Sequence, residues 1–91
     1  MNDLELVAAA KQGDQVAFTE LYRRHIDGVR AVCGEIVLVD ELDDVCQETF
    51  SRAFTGVKSF RGDAQFGTWL ISIARNECLS SIKVDKNEGI Q

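Results

Sequence analysis

Along most of this chain the inward-type residues recur in steps of three and four, the spacing of one face of an α-helix. The cleanest run is Leu42, Val45, Cys46, Thr49, Phe50, Ala53, Phe54 and Val57. Asp43, Asp44, Gln47, Glu48, Ser51 and Arg52 fall on the opposite side, and Asp40 or Glu41 is the expected N-cap. Upstream, Phe18, Leu21, Tyr22, Ile26, Val29 and Cys33 predict a helix over 15–35, with Glu20, Arg23, Arg24 and Asp27 facing away. Gly13 breaks the chain before it and Asp14 caps it. A short first helix over 3–12 is expected to bury Leu4, Val7 and Ala8, with Lys11 at the end of the same row.

The last helix is expected from about Asp63 to Lys83. Phe66, Trp69, Leu70, Ile73, Ala74, Cys78 and Ile82 form its inner side, and Thr68, Ser72, Arg75, Asn76 and Leu79 its outer side. Ile36–Val39 is the only strand-like run, too short for a sheet, and reads as a frayed helix end and apolar linker. Gly56 weakens the end of the third helix, and 58–64 form a loop. The fold class is therefore all-α, a small helical domain of about four helices in which 1–83 is the domain. Residues 84–91 read as a polar tail, or as the start of a linker to a missing C-terminal domain.

Composition supports this. Ninety-one residues allow one domain, and the absence of proline favours helices joined by short connections. No apolar run is long enough to span a membrane, and the N-terminus is acidic where a secretory signal is basic. A cytoplasmic protein without membrane insertion is expected. The net charge of −5 is uneven: residues 1–57 hold five Lys/Arg against eleven Asp/Glu, and residues 58–91 hold five against four. The acidic front half calls for a basic partner.

No enzyme constellation is present. Asp43, Asp44 and Glu48 share a helical face without His or Cys beside them, and Gly62-Asp63 lacks the parts of a phosphate loop. Cys33, Cys46 and Cys78 are odd in number and match no zinc spacing; they read as buried, reduced small hydrophobes. His25 reads as exposed. No catalytic residue, metal or cofactor is expected. The segment from Lys58 onward is richer. Lys58, Phe60, Arg61, Phe66, Trp69, Arg75 and Asn76 combine aromatic, basic and amide groups, the set that holds an unstacked base and pairs its edge. The same aromatics also serve to fill a small core, and the pattern leaves both open.

Three motifs in order resemble the extracytoplasmic-function (ECF) sigma factors of RNA polymerase. Gly13–Phe18 with Leu21-Tyr22 is similar to their opening. Asp43–Phe54 is similar to their region 2.2, and Phe60–Leu70 with Ile73–Asn76 to their regions 2.3 and 2.4. The resemblance covers residues 4–83. It implies a region 2 domain that binds core polymerase and recognises and melts the promoter −10 element at transcription initiation. It puts Asp43, Asp44, Gln47, Glu48, Ser51 and Arg52 against the β′ coiled coil. It puts Phe60, Arg61, Gly62, Asp63 and Ala64 around a base flipped from the non-template strand, and Lys58, Thr68, Trp69, Ser72, Arg75 and Asn76 among the other DNA-binding residues. An anti-sigma factor is a further implied partner. The chain departs from the family's pattern in the thinly basic run after Asn76 and in carrying no helix-turn-helix domain within its length. It is expected to be either a fragment or a one-domain relative. The alternative reading is a polymerase- or anti-sigma-binding helical module that no longer reads promoters.

Overall fold

The computed structural model describes residues 1–90, with side chains described through Ile82. Four α-helices, α1 (Asp3–Lys11), α2 (Gln15–Gly34), α3 (Val39–Gly56) and α4 (Phe66–Ile90), are joined by short connections, and a 3₁₀ turn (Val57–Ser59) follows α3. Each of α2, α3 and α4 packs against the other two, while α1 lies on α2 and on the 3₁₀ turn.

The centre of the core is Phe18, fully buried on α2. Its ring meets Phe50 and Phe54 of α3 edge-on, at 5.3 Å between centroids in each case, and Phe66 of α4 at 6.3 Å. Such edge-to-face contacts add to the stabilisation from area burial alone. All eight inward positions expected on α3 are buried or half-buried, and all six polar positions opposite them are exposed. Thr49, the one polar residue in that row, is fully buried and donates to the Val45 carbonyl at 2.7 Å, so no polar group is orphaned. The α2 stripe is likewise inward throughout.

Elsewhere the structure corrects the sequence reading. On α1 the buried residues are Leu6, Val7 and Ala10, while Leu4 is 81% exposed and Ala8 also faces out. A nine-residue helix that is apolar nearly all round has no unambiguous period. Its start is fixed instead by a capping box: the Asn2 side chain accepts from the Glu5 amide at 2.8 Å, and Glu5 returns the bond to Asn2. α2 begins as expected, with Asp14 accepting from the Ala17 amide. α3 has no side-chain cap. Leu38 holds the cap position, and Asp40 and Glu41 lie in the first turn, where their charges oppose the positive end of the dipole. α4 starts at Phe66 rather than near Asp63, and Ile82 is exposed rather than inward. α4 also runs on to Ile90 rather than ending near Lys83, so the expected tail is helical backbone through 90; side chains beyond Ile82, and all of Gln91, lie outside the described residues.

Cys33, Cys46 and Cys78, one from each long helix, are all free and buried. Burial pushes the Cys33 and Cys46 thiols up. Thiols without access to solvent are poor nucleophiles. All three should therefore resist iodoacetamide at pH 8 in the native protein and react stoichiometrically in urea, as read by mass spectrometry. Replacing Phe18 by Ala should cost about 3–5 kcal/mol in urea-unfolding experiments, because it removes the ring on which three others converge.

Candidate functional site

The site is built at the turn from α3 into α4. The 3₁₀ turn closes with the Phe60 amide donating to the Val57 carbonyl at 3.0 Å. Gly62 then takes φ of 80°, a left-handed conformation that would strain any side chain, and the chain reverses into α4. Phe60 and Phe66, at the two ends of this loop, are both buried and meet edge-on at 6.1 Å. Trp69, one turn into α4, is half-buried against them at 5.0 and 5.6 Å. The aromatics thus serve the core and also wall a pocket: Ser59, Phe60, Arg61, Asp63, Ala64 and Trp69 enclose about 220 Å³ at the surface. Arg61 and Asp63 stand at its mouth, paired at 3.4 Å and both highly exposed.

Further along α4, Thr68, Ser72, Arg75 and Asn76 are exposed in one row. With His25 and Gly28 of α2 they line an open groove of about 720 Å³. Gly67 lets α2 come close: a Cβ there would lie 3.1 Å from the His25 ring. His25 is not the free surface residue expected. It is half-buried, its ring lies 5.5 Å from that of Phe66, and Nε2 is 2.8 Å from Asp3 Oδ2. Two of the residues expected at the site stand apart from both pocket and groove. Lys58 is exposed on the 3₁₀ turn, and Gly62 lines a separate cleft of about 490 Å³ against the start of α1.

The acidic face is a second, separate region. Asp43, Asp44, Gln47, Glu48, Ser51 and Arg52 are all exposed on α3. Three of them, Asp43, Glu48 and Arg52, are not free. Asp43 accepts from Arg30 of α2 at 2.8 Å, and Arg52 reaches across to Glu77 of α4 as well as to Glu48 at 3.5 Å. Asp43 and Gln47 also border a cleft of about 470 Å³ whose other wall is Tyr22, Ile26 and Arg30. Arg30, Lys11, His25 and Glu77 were not identifiable from the sequence, since each matters through a contact with another helix.

Cations on the front of the molecule are largely neutralised within it. Arg23 and Arg24 both bond Glu20, holding its carboxyl down at about 2, and Arg24 also reaches Asp3. Among the described residues Lys58 and Arg75 make no ion pair, so positive charge is left open on the 3₁₀ turn and in the groove. Among the described residues there is also no cluster of His, Cys, Asp or Glu that could hold a metal, and no helix long and apolar enough to cross a membrane.

Comparison with known proteins agrees with this geometry. Residues 21–87 match the family model for sigma-70 region 2. The ECF RNA polymerase sigma-E factor of Escherichia coli K12 is 40% identical over 76 residues, covering 84% of this chain and 40% of that protein. Its counterpart in Haemophilus influenzae is 38% identical with the same coverage, so the chain spans about 40% of the length of the curated relatives it matches. An engineered region 2 of sigmaE, solved by NMR in complex with GTAAAA, superposes with a TM-score of 0.91 at 31% identity, over 97% of this chain and 93% of that one. CnrH, solved in complex with the cytosolic domain of CnrY, superposes with a TM-score of 0.77 at 33% identity, over 86% of this chain and 51% of that one. Two-thirds of the chain and more is thus shared in sequence and in fold, and the chain belongs to the sigma-70 region 2 family, in its ECF branch.

Proposed function

We propose that this domain docks on core RNA polymerase through the α3 face and reads a melted −10 element with the loop and outer side of α4. The observation that carries the reading is a base-sized pocket at 59–64 continuous in sequence with the exposed Thr68, Ser72, Arg75 and Asn76 row. A base taken out of its stack costs a few kcal/mol, which aromatic walls and edge hydrogen bonds offset. Trp69 and Phe60 supply the walls, and Arg61 and Asp63 supply a donor and an acceptor at the mouth. Asn76 offers both amide donor and acceptor to a base edge further along, and Arg75 a charge for the backbone. The matching fold of a sigmaE region 2 in complex with GTAAAA supports a single strand of that kind as ligand.

On α3, the exposed acids and Gln47 fit a basic, amide-rich helical pair such as the β′ coiled coil of polymerase. The cleft shared with α2 extends that face toward Arg30. An anti-sigma factor as a further partner of this domain is supported by the matching fold of CnrH, solved in complex with the cytosolic domain of CnrY. Residues 1–83 are the working unit in this reading, and its place of work is the cytoplasm, with polymerase. A polymerase- or anti-sigma-binding module without promoter reading is the alternative. One observation favours it: between Phe66 and Ile82, α4 carries Arg75 as its one Lys or Arg.

Two experiments separate these. The chain should bind a labelled GTAAAA strand weakly, with a log–log salt slope of about −2, since Lys58, Arg61 and Arg75 are the cations placed to meet phosphate. Joint replacement of Arg75 and Asn76 by Ala should weaken that binding roughly tenfold without lowering the melting temperature. Strand binding that is absent, or indifferent to these changes, would leave the interaction module. In pull-downs with core polymerase, Asp44→Ala combined with Gln47→Ala should lower affinity roughly tenfold and leave strand binding unchanged. An unaltered core affinity would remove α3 from the docking role.

A further inference from the structure

The pocket loop is held from an unexpected direction. Between Arg61 and Ala64, among the described residues, the hydrogen bonds and ion pairs reach no other element; Arg61 and Asp63 pair only with each other. The loop's fixed point is its first residue. Phe60 ends the 3₁₀ turn with its amide already bonded to Val57, which leaves its carbonyl as the acceptor facing α1. The ammonium of Lys11, the last residue of α1, donates to that carbonyl across 49 positions of sequence. α1 itself is braced on α2 at its other end by Asp3, which meets His25 and Arg24.

We infer that Lys11 is a positioning residue for the base pocket: its bond to the Phe60 carbonyl sets the plane from which Arg61, Asp63 and Ala64 project. This rests on the promoter reading proposed above. A charge-assisted bond to a carbonyl is stronger than a neutral one, and Lys11 is part-buried, where competition from water is reduced. A loop fixed at its entry loses less freedom when a base enters, and the gain appears as affinity for that base alone. Removing the bond therefore acts on one nucleotide rather than on the whole strand. A phosphate contact by the same lysine would act on all nucleotides alike. That difference makes the role testable apart from simple charge or simple stability.

The measurement is binding of the GTAAAA strand and of six versions, each with one base replaced by an abasic site, to wild type, Asp63→Ala, Lys11→Met and Lys11→Arg. In wild type and Asp63→Ala, one position should couple, with base loss and Asp63 loss together costing no more than either alone. Methionine keeps the apolar stem of Lys11 and loses the donor. Lys11→Met should weaken the intact strand roughly fivefold to tenfold, and should cost nothing further when the base at the coupled position is absent. Lys11→Arg should retain most of the affinity. Should Lys11→Met prove unfolded by circular dichroism, Lys11→Gln, which keeps a neutral donor on a shorter stem, takes its place with the same expected coupling. Wild-type affinity in the methionine variant overturns the inference, as does a loss that is equal at every abasic position. If no position couples to Asp63, the base pocket itself is refuted and the promoter reading falls first.

Discussion

Everything functional in this domain hangs on the placement of one ring. Phe18 is fully buried on α2 and touches aromatics from both other long helices, so it fixes where α3 and α4 stand relative to α2. The chain of contacts does not stop there. Phe66 carries it to Phe60 and Trp69, whose far edges are the pocket wall. A pocket built this way inherits the rigidity of the core, because moving its wall means repacking Phe18. The cost is small size and shared duty, as Phe60 and Trp69 must satisfy the core before they meet any ligand.

How much of this was legible follows from where the determining interaction lies. The stripes on α2 and α3 were readable because they are long and strictly two-sided, so period alone settles which side is buried. The α1 stripe was misplaced because Leu4, Leu6, Val7, Ala8, Ala9 and Ala10 offer apolar groups in nearly every direction. Only the capping box at Asn2 and contact with α2 choose the phase. The last helix was expected to start near Asp63, yet Asp63 pairs with Arg61 and stays in the loop, and the helix waits for Phe66 to reach the core. The exposed row Thr68, Ser72, Arg75 and Asn76 was legible from helical spacing. Lys11, His25, Arg30 and Glu77 were not, since each acts on a residue distant in sequence, which no local pattern records.

Charge tells a similar story at larger scale. The acidic balance counted along the chain argues against any nucleic-acid ligand, but the count overlooks which charges are already spent on each other. Glu20 neutralises Arg23 and Arg24, and Arg30 occupies Asp43. What remains open is negative on α3, at Asp44, and positive at Lys58 on the 3₁₀ turn and at Arg75 in the groove. A weakly charged reader attached to a strongly charged dock is a coherent arrangement. Affinity for DNA backbone scales with the number of phosphates neutralised, and here that number is small. On the proposed reading, sequence discrimination would come from the pocket at 59–64, with placement supplied by a partner on α3.

The two regions are also mechanically joined. Arg52 sits among the exposed residues of α3 but its guanidinium meets Glu77, which is largely covered on α4 one residue beyond Asn76. Any partner that takes hold of Arg52 therefore competes with a contact that holds α3 to α4. The Lys11 contact works at the other end, on the entry of the loop. Between these two tethers lies the segment from Phe60 to Asn76, held at both ends by side chains from helices that do not themselves read a base. In so small a domain no element is free to specialise. The helix that closes the core also carries the exposed row proposed to meet the strand, and its neighbours hold it through an ion pair and a carbonyl bond.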